Sequence, residues 1–399
     1  MEWLGDVPEH WQIVRTKDIF NHRKEEALED DEIVTAFRDG QVTLRKNRRT
    51  DGFTNSIKEH GYQHINNGDL VIHEMDAFAG AIGVSDSSGK STPVYTVCYA
   101  KNENINHHFY SHFFRTMAKT GFINSLAKGI RVRSTEFRWN ESRNVYLAEP
   151  PKADQEKIVS FLDTETARID NLIAKQEKLI ELLEEQRKSI ISHAVTKGLN
   201  PNAPMKDSGV EWLGEVPEHW QILKLRQLVK LESGSALPLD RINPDGKYPV
   251  YGGNNIRGFT ENFNMKGDYI LVGRQGSLCG NINYASGEFW ATEHAVVVYP
   301  KKPVSLTFLG ELLRTMNLNQ YSIASAQAGL SVDRISNIYT IYIPFEEQIQ
   351  IAKKIDHENL KVDKLISKQQ SLIEKLKEYR ASIISHAVTG KIDVREFVA

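Results

Sequence analysis

Ser189-Ile190-Ile191-Ser192-His193-Ala194-Val195-Thr196 closes one long charged stretch, and the same run returns unchanged as Ser382-Ile383-Ile384-Ser385-His386-Ala387-Val388-Thr389. Upstream of the first copy, Ile158, Leu162, Ile169, Leu172, Ile173, Ile180, Leu183 and Ile190 fall three, four or seven residues apart among Lys, Glu and Gln. That spacing draws one apolar stripe along a helix, a seam of the coiled-coil kind. Ile351, Ile355, Val362, Leu365, Ile366, Ile373, Leu376 and Ile383 repeat it at a constant offset. Pro151 and Pro344 stand at equivalent positions, where proline opens a helix without losing a needed N–H bond. Forty-odd residues at about 1.5 Å each make a rod of about 60 Å. A stripe on an exposed rod needs a partner, and the other copy is the nearest one. Equal stripe length and register predict antiparallel packing, with a pseudo-two-fold exchanging the copies and the globular parts at opposite ends. Ile169, Leu172, Ile173, Ile180 and Leu183, with Val362, Leu365, Ile366, Ile373 and Leu376, are the residues expected in the seam and in docking partners.

A second repeat divides what lies between. Glu2-Trp3-Leu4-Gly5-Asp6-Val7-Pro8-Glu9-His10-Trp11-Gln12-Ile13 recurs as Glu211–Ile222 with a single change, Asp6 to Glu215. Two tryptophans bracketing Gly and Pro form a compact aromatic turn, expected to seat each globular part against a helix end. The resulting fold is α+β: two mixed α/β domains joined by two long antiparallel coiled-coil-like helices, a pseudo-two-fold internal repeat. The expected segments are a first domain at 1–150, a helix at 151–196, a linker with the second Trp motif at 197–222, a second domain at 223–343, a helix at 344–389 and a tail at 390–399.

The two domains match each other poorly in sequence. In the first, β-like runs at Asp69–His73, Val94–Ala100 and Val145–Leu147 flank a helical segment near His107–Lys119. Its cluster Arg45-Lys46-Asn47-Arg48-Arg49 precedes an Asp-Gly turn and reads as a loose basic loop suited to phosphate contact. Lys128-Gly129-Ile130-Arg131-Val132-Arg133-Ser134 places arginines on one side of an extended strand, where their forks could be aimed at bases. In the second, Tyr248–Tyr251 enters a tight turn at Gly252-Gly253-Asn254-Asn255, followed by Arg257. Tyr269–Gly273 leads into an exposed loop carrying Arg274, Gln275 and Ser277. Asn, Gln and Arg at turn tips can make the bidentate pairs that read adenine and guanine in the major groove. Asn and Gly also favour turns on their own account.

Composition narrows the class. A net charge of −2 across 399 residues announces no nucleic-acid partner, though it averages acidic helices with basic patches. The two cysteines, Cys98 and Cys279, lie far apart among apolar residues, which points to buried thiols in a reducing cytoplasm. No apolar run is long enough to span a bilayer, and Met1 begins no signal-peptide pattern. Enzyme motifs fail on inspection. Gly83–Ser91 has the wrong glycine spacing for a phosphate loop, with Val84 where glycine belongs. Gly273, Gly276 and Gly280 do not make a dinucleotide fingerprint, no Asn-Pro-Pro-Tyr run offers a methyltransferase site, and Pro244-Asp245 has no acid-x-Lys pair behind it. His108 and His112 share a helix face without a third ligand, so no metal site is expected. Two reading classes remain: a DNA-binding spacer protein, and a non-catalytic helical scaffold whose globular domains bind proteins.

The doubled Glu-Trp-Leu-Gly-x-Val-Pro-Glu-His-Trp, the Pro-x-x-x-Gln helix starts at Pro151–Gln155 and Pro344–Gln348, and the doubled helix ends resemble a type I restriction–modification specificity subunit over essentially the whole chain. The runs Gly68–Val71 and Gly80–Ser85, with Tyr248–Gly252 and Gly273–Gly276, resemble that family's target-recognition domains. The resemblance implies a non-catalytic cytoplasmic subunit that binds double-stranded DNA, each domain reading one half of an asymmetric bipartite site. It implies partners as well: two methylation subunits docked on the helices, and a restriction and translocation subunit. S-adenosylmethionine, ATP and Mg would sit on those partners, with no cofactor on this chain. Two readers on a fixed rod should engage a duplex about one helical turn apart, roughly 34–36 Å.

Overall fold

The computed structural model describes residues 4–48, 60–126, 137–276, 278–322 and 329–397. The chain folds into two units, one of residues 1–176 with 371–399 and one of residues 177–370.

In the first unit a four-stranded antiparallel sheet is built from β1 (Phe20–His22), β2 (Leu70–His73), β3 (Ile82–Val84) and β4 (Tyr95–Ala100), in the order β1-β4-β2-β3. Leu70, Ile72, Ile82 and Cys98 send their side chains to the helical side of this sheet, while Val71 and Val97 face a second small core with Val34, Val42 and Tyr95. This is the period-two alternation of a sheet buried on both faces. Helix α1 (His107–Lys119) covers the first face with Phe109, Tyr110, Phe113, Phe114 and Met117, all fully buried. It starts where it does because the Asn106 side chain accepts from the His108 and Phe109 amides at 2.9 and 3.3 Å.

The first long helix, α2, runs Lys152–Lys197 without a break. In the second unit, β5 (Val229–Ser233), β6 (Tyr269–Gly273), β7 (Ile282–Ala285) and β8 (Ala295–Pro300) form a sheet in the order β5-β8-β6-β7, covered by α3 (Leu306–Thr315). That is the strand order of the first unit, in sequences that do not announce a common fold. The second long helix, α4, runs Phe345–Val388.

The two long helices are antiparallel in each unit. In the first, the Arg380 fork grips the Asp170 carboxylate at 2.8 and 3.1 Å, and Ile169 packs into the core that holds Ile383 and Ile384. In the second, Arg187 donates to Asp363 at 2.5 Å. Asp170 and Asp363, like Arg187 and Arg380, are repeats of one another in sequence. Of the seam residues, Ile169, Val362 and Ile373 are buried, and Leu172, Ile173, Ile180, Leu183, Leu365, Ile366 and Leu376 are half-buried. A two-helix seam cannot cover its members from every side, which accounts for the intermediate exposure.

Each long helix is fixed at its start by a buried glutamine and at its far end by a glycine cap against a Trp motif. Gln155 is fully buried: its Oε1 accepts from the Asn106 amide at 2.8 Å, and its Nε2 donates to Asn104 O and Pro150 O at 3.0 and 2.8 Å. Gln348 repeats the pattern with the Ser305 amide and Ile343 O at 2.9 and 3.0 Å. These are the glutamines of the Pro-x-x-x-Gln motif, so the motif is a clamp between a long helix's start and the cap of the shorter helix in the domain that precedes it. At the far ends, Gly198 and Gly390 take left-handed backbone (φ +80° and +72°), a C-cap conformation. A methyl group on Gly390 would stand 2.4 Å from the Pro8 ring, and one on Gly198 would meet the Trp220 ring at 3.3 Å. Each Trp motif therefore seats on a helix C-terminus. His10 to Asp154 and His219 to Glu347, both 2.9 Å, tie the same motifs to helix starts.

Candidate nucleic-acid interface

The first unit holds a cleft of about 790 Å³ beside the hairpin of strands Val34–Ala36 and Val42–Leu44. Phe37, Arg38, Arg45, Arg48, His73 and Asp76 are among its lining residues. The basic run that enters it is ordered rather than loose. Arg45–Asn47 forms a 3₁₀ turn, and Arg45 Nε donates to Thr35 Oγ1 at 3.2 Å. Lys46 pairs with Glu32. Arg48 Nη1 and Nη2 donate to the two oxygens of Asp39 at 2.9 and 2.6 Å, and its guanidinium lies 4.3 Å from the Phe37 ring centroid. The same bonds hold Asp39 below the usual carboxylate range and raise Arg48. Arg38, which the sequence pattern passed over, donates to Asp76 at 2.9 Å. A guanidinium has five donors, so a fork held by a carboxylate still presents N–H groups to a base edge or a phosphate. Its orientation is then set before the ligand arrives. The expectation of a loose loop is corrected on this point, because turn hydrogen bonds and two carboxylates restrain what charge density alone would leave free. Arg49, Lys128, Arg131 and Arg133 lie outside the described residues.

In the second unit the predicted residues converge from three segments. The turn at Gly252–Asn255 closes through the Gly252 amide and Asn255 O at 3.3 Å, with Asn255 in left-handed backbone (φ 59°). This turn presses on the end of β6 so closely that a methyl group at Gly273 would stand 1.9 Å from Gly253 O. Asn254 Oδ1 accepts from Asn281 Nδ2 at 2.7 Å, joining the turn to the loop that follows β6. Arg274 is half-buried, and its Nη1 donates to Ser233 Oγ at 3.1 Å. Gln275 is exposed and pairs by an isolated bridge with Gly329. Arg257 is exposed on the strand Ile256–Thr260, beside Gly252. Asn254, Arg274 and Gln275 thus share one surface, with Asn281 added to it. Ser277 lies outside the described residues.

Matching backbone bonds make the two sites comparable residue by residue. The Arg274 amide donates to His294 O and Arg274 O accepts from Leu330, both at 2.8 Å. In the first unit the Glu74 amide donates to Val94 O at 2.9 Å, and Glu74 O accepts from Phe137 at 3.1 Å. The same backbone position carries a cation in one unit and a carboxylate in the other. The Glu74 carboxylate accepts from Thr96 Oγ1 at 2.9 Å and faces Arg138 at 3.7 Å.

Among the described residues no group of His, Cys, Asp and Glu could hold a metal ion, and no helix is long and apolar enough to cross a membrane. The family described as type I restriction modification DNA specificity domain matches residues 8–182 and 217–377, both halves of the chain and most of its length. The chain belongs to the type I restriction–modification specificity family.

Relatives are similar over different spans. The EcoprrI specificity subunit of Escherichia coli is 38% identical over 136 residues, 33% of this chain and 34% of that one. The MjaVIII specificity subunit of Methanocaldococcus jannaschii is 23% identical over 98% of this chain and 94% of its own. The EcoKI specificity subunit of Escherichia coli K12 is 22% identical over 97% and 90%. A chain solved in work on assembly and conformational transition of the type I R-M system superposes with a TM-score of 0.71 at 15% identity, covering 97% of this chain and all of that one. The HsdS subunit from Thermoanaerobacter tengcongensis gives 0.57, also at 15%, over 97% and 98%. Those two likenesses speak for the fold. As a type I specificity subunit the chain is the non-catalytic, DNA-specifying component of its enzyme.

Proposed function

We propose that each β-rich domain reads one half of an asymmetric bipartite DNA site, and that the long helices space the readers and dock two methylation subunits. Adenine methylation or restriction would then follow from which partners assemble, with S-adenosylmethionine, ATP and Mg held by those partners. The observation that carries this reading is the pair of equivalent positions occupied by Glu74 and Arg274: one scaffold used twice, with opposite charge at the point where the loops present side chains. An aimed carboxylate accepts from cytosine N4, and an aimed guanidinium donates to guanine O6 and N7, so the halves should differ in sequence. The clamped Arg38 and Arg48 extend the first reader, and Asn254, Asn255, Arg257 and Gln275 the second. Arg45 and Lys46, with Arg49, Lys128, Arg131, Arg133 and Ser277 beyond the described residues, remain assigned to DNA contact as well.

The helices support docking through apolar side chains outside the seam. Leu182 and Leu360 in the second unit and Leu372 and Tyr379 in the first are exposed on long helices. Seam residues are already partly covered, so these present the free apolar surface.

The deciding experiment measures duplex binding across a salt series with intact, left-scrambled and right-scrambled sites. A DNA reader shows log K falling with log salt and loses affinity for either scramble. A flat slope with unchanged affinity would favour the protein-binding scaffold instead. Mapping methylated adenines in cells carrying the partners gives the site itself.

A further inference from the structure

A pocket of about 190 Å³ lies in the first unit between α1 and the last turns of α4, away from the cleft described above. His112, Arg115 and Lys119 line it from one helix, Ser385 and Ile384 from the other, and no Asp or Glu lines it. Arg115 Nε is buried with no hydrogen-bond acceptor. Its guanidinium is fixed beneath the Gly40 turn, where a methyl group would come 2.3 Å from Nη1. The carboxylates nearby are committed elsewhere: Asp39 to Arg48, and Asp170 to Arg380. Burial and the neighbouring Arg380 lower Arg115 against a smaller opposing pull from Asp39, and burial, Arg115 and Arg380 lower Lys119, as expected of cations that outnumber the counter-charge near them. Burial, then Arg115, push His112 down to about 4.

The second unit shows how this arrangement is completed internally. Counted from the caps Asn106 and Ser305, which the glutamine clamps make equivalent, Arg115 matches Arg314 within a shared Arg-Thr-Met. His112 then matches Glu311. Glu311 is buried, pairs with Arg314 and accepts from the Tyr284 hydroxyl at 3.1 Å. In the first unit the carboxylate is replaced by an imidazole, while the arginine stays. A buried guanidinium N–H left without an acceptor is costly, and an oxyanion making charge-assisted bonds to the guanidinium relieves that cost.

We propose that this pocket is an oxyanion site of the phosphate class, in which Arg115 and Lys119 hold from outside the charge that Glu311 supplies within the second unit. Its volume is enough for one hydrated oxyanion, since a water takes about 30 Å³. Free inorganic anion and a backbone phosphodiester of bound DNA share this chemistry; only the second source rests on the half-site reading.

The test uses the full chain, with inorganic phosphate against chloride at matched ionic strength. Phosphate strengthens burial in any protein, so the readout is the difference between wild type and His112→Glu, which builds in the second unit's counter-charge. Phosphate should raise the wild-type Tm by roughly 2–4 °C more than that of His112→Glu. In the wild type it should also move the His112 ring titration upward by NMR, a readout that needs no variant to fold. Arg115→Gln should abolish both responses. With a duplex in place of phosphate, a shift of the His112 ring identifies the source as DNA, and Arg115→Gln then lowers the salt slope by about 1. No ring shift with duplex identifies the free anion. Equal Tm increments in wild type and His112→Glu, an unmoved ring in phosphate, or an equal response to acetate would overturn the assignment.

Discussion

The two units share a strand order and two glutamine clamps, yet they meet solvent with different chemistry. The first gathers arginines against carboxylates: Arg48 on Asp39, Arg38 on Asp76. The second gathers amides and one arginine on tight turns, with Asn254 bonded to Asn281 and Arg274 to Ser233. Side chains beneath the sheets, where packing decides, are close counterparts: Phe109 and Phe308, Phe113 and Leu312, Met117 and Met316 are all buried. The differences lie at exposed or half-buried positions on the loops. A scaffold held constant inside and varied at its loops is what a pair of readers for unlike sequences requires.

The largest expected contrast is in acid. Burial lowers His22, His73, His107 and His112, all of them in the first unit. A folded-state value below the unfolded value means that the unfolded chain binds more protons. The stability these groups contribute is therefore complete above about pH 6.5 and lost as pH falls toward about 4. For His112 the loss is on the order of 3 kcal/mol. Hydrogen exchange at pH 7 and pH 5 should show the first unit opening preferentially, and equal loss in both units would break the contrast.

Where the units agree, they should respond alike. Gln155→Ala and Gln348→Ala each strand buried backbone groups, at a cost of about 2–3 kcal/mol. Urea unfolding should give similar losses for the two variants. A large inequality would mean that the clamps are not equivalent.

Gly273→Ala sharpens the comparison at the loop. Its methyl group would meet the Gly253 carbonyl oxygen, and overpacking of this kind costs about 1–3 kcal/mol. Since it moves the Gly252–Asn255 turn, affinity should fall for the second half-site and hold for the first. Arg274→Ala should cost about 1–3 kcal/mol against the cognate base at one position of the second half-site. Equal weakening of every duplex would assign Arg274 to phosphate. The smallest effect belongs to Lys46→Ala: its exposed pair with Glu32 contributes about 0–1 kcal/mol to stability, and its loss should only flatten the salt slope of binding.

The long helices and their antiparallel pairing were legible in the sequence because periodicity is local and the repeat supplied the partner. Helix α1 was placed at His107–Lys119 by the same kind of signal. The common strand order was not legible, since sheet order is set by pairings between residues far apart, such as Ile72 with Thr96 and Val272 with Val296. Site residues divided along the same line. Arg274 and Gln275 stand out beside glycines in one segment. Arg38 escaped notice because its partner Asp76 is brought to it only by folding, and the run Arg45–Arg48 looked loose because Glu32 and Asp39 restrain it from outside. The replacement of Glu311 by His112 became visible only once the helix caps aligned the two units.

The seats of the two Trp motifs have one more consequence. In the second unit, Trp220 is joined to the helix end at Gly198 by continuous chain, through exposed residues Leu199–Asn202. In the first, Pro8 and Trp11 meet Gly390 across nearly the whole length of the chain. The same joint thus closes a short stretch of chain in one unit and a very long one in the other, so the entropy spent in closing it is greater in the first unit.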